Sequence, residues 1–275
     1  MSYYHHDLNP FAVRTEWFVI PWYWFVYVAG FFWLWLLGRQ LLRRQQVRAL
    51  TPQSYTDLCV LGWLGMLIGS RLAYVGLYFW SHYKANPWAI FKFWEGGMSF
   101  HGGVLGAVLA VWLGCRLWHR PAMFWPFCDL SATLIPPVLG LGRVANFING
   151  ELPGRPTELP WAVVFPRFGD SLPRHPSQLY EAIGEGVLLF AIMLLGYKKR
   201  LDEHGWQSAR FLLSYGLIRF VVEFWRAPDT QLGLLFGWLT MGQLLCLMMI
   251  GLGVILHWRF VLTNRDRPAE SGSQH

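Results

Sequence analysis

The chain has 275 residues, of which 54% are hydrophobic and only 14% charged, against roughly a quarter charged in an average soluble domain. That balance excludes a soluble globular enzyme, and seventeen tryptophans and eleven tyrosines suit a protein with two membrane interfaces, where aromatic belts collect. The net charge of +7 comes mostly from basic residues in short loops between apolar runs, where they set membrane topology, so nucleic acid is not an expected partner.

A spanning helix needs about 20 mostly apolar residues. Seven segments answer to this, at roughly 17–37, 57–80, 98–118, 127–149, 178–197, 208–226 and 237–258. The predicted fold is an all-α integral membrane protein with seven transmembrane helices. The first segment lacks the basic leader and small-residue cleavage site of a signal peptide, so a retained helix is expected, with Pro21 in its first turn, where proline is tolerated. Pro136 and Pro137 fall inside the fourth and predict a kink or break. Irregular backbone at membrane depth is tolerated only beside protein or a wet cavity, so a cavity is expected there. Residues 1–264 read as one polytopic transmembrane domain with a short outer loop region near 150–177, and 265–275 as a disordered cytoplasmic tail.

Lys and Arg counts orient the helices. Arg39, Arg43, Arg44, Arg48, Arg120, Lys198, Lys199, Arg200, Arg259, Arg265 and Arg267 fall on one side. Arg14, Lys84, Lys92, Arg155, Arg167, Arg174 and Arg226 fall on the other. The richer side is expected to be cytoplasmic, with the N-terminus outside and the C-terminus inside. Cys59, Cys115, Cys128 and Cys246 form no Cys-x-x-Cys pair and read as small apolar packing groups.

Four polar constellations interrupt the apolar pattern. The run Gly140-Leu-Gly-Arg143-Val-Ala-Asn146-Phe-Ile-Asn-Gly-Glu151-Leu-Pro-Gly154-Arg155 begins in an apolar segment and ends in a polar loop. A guanidinium in or near hydrocarbon is costly and is rarely there without a partner or a function. Arg143 and Asn146, three apart, share a helix face, and Gly140 and Gly142 let a backbone or ligand come close. In the sixth segment Tyr215, Arg219, Glu223 and Arg226 are spaced four, four and three, forming one polar stripe. An Arg219–Glu223 ion pair that locks packing is the structural alternative. Two arginines against one carboxylate leave a positive charge over, which points to an anionic ligand. Glu95-Gly-Gly-Met-Ser-Phe-His101-Gly-Gly leads into the third segment. A structural histidine there competes with a base or phosphate donor held between glycine pairs. Arg174-His-Pro-Ser-Gln-Leu-Tyr-Glu181 opens the fifth, with Glu185 one turn on. A helix cap plus partners for arginines elsewhere is the alternative to a site.

No Gly-x-Ser-x-Gly elbow, His-Glu-x-x-His motif, aspartate cluster or Walker loop occurs. Neither metal nor cofactor is expected, and the polar inventory suits binding a phosphate ester and assisting its departure.

In these pieces, Gly-Gly-Met-Ser-Phe-His101-Gly-Gly, Gly-Arg143-x-x-Asn146-Phe-Ile-Asn-Gly-Glu151-x-x-Gly154-Arg155, Arg174-His-Pro-Ser-Gln-Leu-Tyr-Glu181 and Tyr215-Gly-x-x-Arg219-x-x-x-Glu223-Phe-x-Arg226-x-Pro-Asp229, the chain resembles the bacterial prolipoprotein diacylglyceryl transferase family. The likeness runs from Trp22-Tyr23 to Met241-Gly-Gln243. It implies a seven-helix enzyme of the bacterial inner membrane, N-terminus outside. The implied partners are phosphatidylglycerol and a prolipoprotein signal peptide with its lipobox cysteine, and the implied product is a thioether-linked diacylglyceryl group with release of glycerol phosphate. Carried over by matched position, Arg143 is the expected phosphatidylglycerol ligand, with Asn146, Glu151 and Gly154 in the same signature. His101, Tyr23, Tyr215, Arg219, Glu223 and Arg226 match further functional positions. Two departures are Trp24 in place of the usual glycine and a short stretch between Pro166 and Arg174.

The chemistry required is alkylation of sulfur at a saturated carbon. Arginine forks suit the phosphate, so Arg143 and Arg219 are expected on it, with Glu223 orienting an arginine and Asn146 and Glu151 on the glycerol hydroxyls. His101 is the first choice for thiol activation, a role that Tyr23 or Tyr215 could share. A transporter or flippase for an anionic lipid or solute, and a non-catalytic lipid-binding scaffold, are the competing readings.

Overall fold

The computed structural model describes residues 3–17, 19–45, 49–78, 80–92, 97–199, 205–227 and 239–265. The chain divides into two compact units, one of Met1–Phe32 with Cys128–His275 and one of Trp33–Phe127. Glu95, Pro228, Asp229 and the expected tail beyond Arg265 lie outside the described residues.

The described chain is mostly helical. Helices α1 (Trp22–Gln45), α2 (Pro52–Tyr78), α3 (Trp80–Ala85) and α4 (Phe100–Leu117) come first, then α5 (Phe124–Leu134) and α6 (Pro136–Asn149). Next come α7 (Ser177–Glu181), a π-helical segment (Ala182–Leu188), α8 (Leu189–Lys199), α9 (Trp206–Val222) and α10 (Met241–Arg265). Among the described residues five helical stretches are long and apolar enough to cross a membrane, and α5 with α6, bent by 45° at their junction, makes a possible sixth. The expected break at Pro136 is therefore present. Both prolines open α6, where the missing N–H costs nothing. The expected span 208–226 corresponds to α9, whose 17 residues reach about 25 Å, short of a hydrocarbon core of about 30 Å.

Three expectations need correction. The first helix begins at Trp22, not near 17. Val19–Pro21 (β3) pairs antiparallel with Phe11–Arg14 (β2), so Pro21 closes a strand instead of lying in the helix's first turn. The β-branched Val19 and Ile20 favour the extended chain. Second, α9 ends at Val222, so Arg226 lies beyond the helix that carries Arg219. Third, Arg265 is the last residue of α10 and not part of a tail. Short strands also order the 150–177 loop region: Tyr4–His5 (β1) runs parallel to Val163–Val164 (β4), which pairs antiparallel with Pro173–Arg174 (β5).

In the 33–127 unit, α2 and α4 pack through small residues at four-residue spacing. A Cβ on Gly65 would lie 2.5 Å from the Gly106 carbonyl oxygen, and one on Gly69 would lie 2.4 Å from that of Gly102. This is small-xxx-small packing, the usual means of bringing membrane helices close. Gly102 and Gly103, read in the sequence as room for a ligand beside His101, are buried in this helix contact. Arg71 is buried there too, donating to the carbonyls of Ala89, Ile90, Lys92 and Gly97. Of the four free cysteines, Cys115 and Cys246 are buried.

The other unit holds a core of Ala132, Leu189, Met193 and Tyr215, with Leu139, Phe211, Ile218 and Met249 packed against it. Asp129 on α5 accepts from the backbone N–H and hydroxyl of Ser208, at 2.8 and 2.7 Å. It thereby caps α9, whose own preceding residue Gly205 has no side chain to do so.

Candidate active site

The site starts from a glycine contact. A Cβ on Gly140 of α6 would stand 2.9 Å from the Gly186 Cα in the π segment, so the two backbones touch. Gly142 faces open space. The contact at Gly140 brings Arg143, one turn on, to the glutamates of the neighbouring segment. Its Nε lies 2.9 Å from Glu181 Oε2 and 3.1 Å from Glu185 Oε2. π-Helical turns are rare and recur at functional sites, and Glu185 lies within this one.

Two more arginines converge on the same carboxylates. Arg219 places Nε 3.4 Å from Glu185 Oε1 and Nη1 3.6 Å from Glu181 Oε1, while its Nη2 lies 2.6 Å from Glu223 Oε2. Arg226 donates to Glu181 Oε1 at 3.1 Å. Glu181 is thus shared by three guanidiniums. Glu181 and Glu185 are almost wholly buried, while the Arg143 side chain keeps 21% of its surface exposed. Burying charges is tolerable only when they are paired and hydrogen-bonded. Among the described residues three arginines meet three carboxylates here, so the Arg219–Glu223–Arg226 stripe carries no surplus positive charge among them. The missing negative charges come from Glu181 and Glu185 on a different helix.

What distinguishes Arg143 is its outer edge. Among the described residues, hydrogen bonds and ion pairs reach it only at Nε. Its two terminal amino groups, the edge that grips phosphate oxygens in pairs, keep their donors.

A second cluster lies at the other end of α6. Gly150 ends the helix in the left-handed conformation (φ 67°), the usual glycine stop, and the chain folds back so that the Glu151 N–H meets the Asn146 carbonyl at 3.2 Å. Glu151 Oε1 accepts from Asn146 and Asn149 at 3.1 Å each and from the Tyr23 hydroxyl. The Asn146 amide also donates to Tyr23. Tyr23, in the first turn of α1, Asn146 and Glu151 therefore form one hydrogen-bonded triad. No hydrogen bond from the described residues reaches Glu151 Oε2.

Gly154 acts by packing. A Cβ there would lie 2.5 Å from the Trp225 carbonyl oxygen and 2.6 Å from His175 Cβ. Gly154 bridges to Arg226 and donates to the His175 carbonyl at 2.9 Å, which ties the 150–177 loop to the stretch of chain carrying Arg226. Arg174 donates to the Gly154 carbonyl at 3.1 Å and pairs with Asp170. Tyr215 is buried in the apolar core, its ring stacked on Phe211 at 5.6 Å. His101 belongs to the 33–127 unit. It is exposed in the first turn of α4, below the N-cap Ser99, with its ring edge-on to Phe100.

The structure thus unites Arg143, Arg219, Glu223 and Arg226 in one cluster and Tyr23, Asn146 and Glu151 in another, both borne by α6. Glu181 and Glu185, read in the sequence either as part of a site or as partners for arginines elsewhere, are the hub on which the three guanidiniums meet. Two glutamates one turn apart in an apolar twenty-residue run were the signal.

The arrangement can meet an anionic headgroup with the terminal amino groups of Arg143, beside a cluster whose charges balance. The family model described as prolipoprotein diacylglyceryl transferase matches residues 10–259, which span both clusters. The chain belongs to the prolipoprotein diacylglyceryl transferase family. A phosphatidylglycerol–prolipoprotein diacylglyceryl transferase of Polynucleobacter asymbioticus is 48% identical over 92% of this chain and 96% of its own length. Proteins of the same name from Bordetella bronchiseptica (46%, over 91% and 95%) and Cupriavidus pinatubonensis (43%, over 98% and 96%) are similar throughout. Membership in this transferase family does not favour the transporter or flippase reading.

Proposed function

We propose that this protein transfers the diacylglyceryl group of phosphatidylglycerol to the lipobox cysteine of a prolipoprotein. The sulfur attacks the glyceryl carbon that bears the phosphate ester oxygen. An S–C bond forms, the C–O bond breaks, and its electron pair leaves with glycerol phosphate. A free thiol has a pKa near 8.5 and reacts as the thiolate, so its proton must pass to a base. His101 takes that role in this reading, on the strength of the family resemblance, with Tyr23 or Tyr215 able to share it.

The observation that carries the proposal is the state of Arg143. Glu181 and Glu185 brace its Nε and its terminal amino groups remain as donors for a phosphate. Donors fixed in advance, in a site poor in water, stabilise charge developing on a leaving group at no reorganisation cost. Arg219 and Arg226 face the phosphate as negative charge develops on it, their own charges balanced by Glu181, Glu185 and Glu223. Asn146 and the Oε2 of Glu151 bind the glycerol hydroxyls of the headgroup. Gly154 keeps the loop that joins the two clusters in register.

The proposal includes the setting. The chain is one catalytic membrane domain of the bacterial inner membrane, with seven spans, an outer N-terminus and a cytoplasmic C-terminus. The asymmetry of Lys and Arg supports that orientation, and α9 serves as the sixth of the seven spans, its polar residues compensated by the cluster it helps to build.

The test uses purified protein in phosphatidylglycerol vesicles with a lipobox peptide and its Cys→Ser analogue. A diacylglyceryl adduct on the cysteine peptide alone, lost with Arg143→Gln, is expected. Folded protein that binds the lipid but forms no adduct would overturn the reading.

A further inference from the structure

The segment Thr240-Met-Gly-Gln243 is not used by the chemistry above, yet it is built around a member of the site. The Thr240 hydroxyl donates to Glu223 Oε1 at 2.9 Å. Thr240 also forms a reciprocal cap with Gln243. The Gln243 N–H donates to the Thr240 hydroxyl oxygen and the Thr240 N–H donates to Gln243 Oε1, both at 3.1 Å. This is a capping box at the start of α10. Thr240, Gln243 and Glu223 are all buried, at 3, 4 and 5% exposure. Gly242 completes the arrangement, since a Cβ there would lie 2.5 Å from Glu223 Oε1 and 2.8 Å from its Cδ. The carboxylate thus lies directly against the first turn of α10, where the helix dipole favours negative charge. Its other oxygen faces Arg219 Nη2 at 2.6 Å.

We infer that Thr240, Gly242 and Gln243 are positioning residues for the transfer, acting on Arg219 through Glu223. The cap fixes one oxygen of Glu223, and the geometry of the carboxylate then fixes where the other oxygen holds the Arg219 fork. Gln243 acts at one remove by orienting the threonine hydroxyl, whose single proton is thereby committed to Glu223. A threonine whose hydroxyl oxygen already accepts the Gln243 N–H has no need of Glu223 to complete a cap. The bond to Glu223 is therefore additional to what capping requires. The inference rests on the transferase reading, because it assigns the residues a task within that reaction.

The test compares Thr240→Val, Thr240→Ser and Glu223→Gln, singly and with Thr240→Val combined with Glu223→Gln, in the vesicle assay with the lipobox peptide. For Thr240→Val, kcat is expected to fall roughly 10- to 100-fold while KM for the peptide stays within about twofold. Thr240→Ser, which keeps the donor, should recover most of the rate. In the Glu223→Gln background, Thr240→Val should cost less than about twofold further, because residues acting as a unit are not additive. Wild-type kcat for Thr240→Val, multiplicative losses in the double variant, or no rescue by serine would each overturn the inference. Should Thr240→Val fail to fold, Gly242→Ala asks the same question by displacing the carboxylate while leaving the hydroxyl, and a kcat within twofold of wild type would overturn the inference. If wild-type protein forms no adduct, the transferase reading falls by itself. The relay is then judged on phosphatidylglycerol binding, followed by tryptophan quenching with a brominated lipid. Thr240→Val is expected to weaken binding about tenfold, and unchanged affinity would overturn it.

Discussion

Arg71 lies in a helix long and apolar enough to cross a membrane and Arg143 in the second half of the bent pair α5–α6, and they are held in opposite ways. Arg71 is 2% exposed and spends its donors on four backbone carbonyls, at 2.6–3.1 Å. Its guanidinium also lies 5.3 Å from the Tyr83 ring. It ties the chain around residues 89–97 to α2 and is a fastening. Arg143 meets carboxylates through Nε alone among the described residues and keeps its fork in reserve. Residue type and placement in an apolar helical segment are therefore shared by the two arginines. What differs is the disposition of their donors.

The sharpest way to break this comparison is to replace each arginine by lysine. Arg143→Lys keeps a positive charge beside Glu181 and Glu185 but removes the paired donors. Adduct formation is expected to fall roughly 10²- to 10³-fold, about 3–4 kcal/mol of transition-state stabilisation, with little change in the unfolding midpoint in detergent. Arg71→Lys should do the reverse. It strands buried carbonyls at about 1–3 kcal/mol each, so the loss falls chiefly on stability and folded yield. Similar losses of activity and stability in the two variants would refute the distinction. Glu185→Gln comes next. It leaves Arg143 and Arg219 short of a counter-charge in a buried setting, which costs about 3–5 kcal/mol. Chemical denaturation should show that loss, and an unchanged midpoint would mean that solvent already screens the cluster.

The helices were legible because apolar runs of membrane length leave a strong mark, and the break at Pro136 because proline has a mechanical consequence. Val19–Pro21 misled because β-branched and apolar residues look alike to a hydrophobic window whether they form a strand or a helix. The polar stripe of the sixth segment was legible as a stripe but not in its charge balance. Helical periodicity relates Arg219 to Glu223, whereas Glu181 and Glu185 approach from a different helix, and no local spacing encodes that meeting. The same limit applied to the glycines near His101. Close approach was foreseeable, but that α2 would be the partner depended on Gly65 and Gly69, thirty residues and more upstream. The triad of Tyr23, Asn146 and Glu151 joins residues well over a hundred positions apart. Of its geometry, only the Asn146–Glu151 portion, on either side of the Gly150 turn, was written locally.

A finer probe asks how far the arginine cluster depends on the backbone contact beneath it. Gly140→Ala would push a methyl against the Gly186 Cα, 2.9 Å away. Overpacking of this kind costs about 1–3 kcal/mol, and shifting Arg143 from Glu185 should lower the transfer rate about tenfold. Gly142→Ala, two residues on and facing nothing within 4 Å, should stay within about 0.5 kcal/mol of wild type. Equal behaviour of the two alanines would show that the Gly140–Gly186 contact does not set the position of Arg143.

The smallest effect lies outside the membrane-spanning segments, where Asp170 and His175 titrate. The hydrogen bond from Arg174 holds the Asp170 carboxyl below the ordinary aspartate range, and burial holds His175 below the ordinary histidine range. In both cases the unfolded chain binds the proton more readily than the folded one, so both contributions are present at neutral pH and fade as pH falls. The windows differ. His175 acts below its unfolded value of about 6.5 and Asp170 below about 3.9. Asp170→Asn should therefore lower the thermal midpoint slightly between pH 5 and 7, and the gap to wild type should close as the medium approaches pH 3. No gap between pH 5 and 7 would mean that Arg174 is held by Phe168, 4.5 Å from its guanidinium, and by the Gly154 carbonyl, with Asp170 adding nothing. The loop that carries Gly154 to Arg226 would then be fastened without charge.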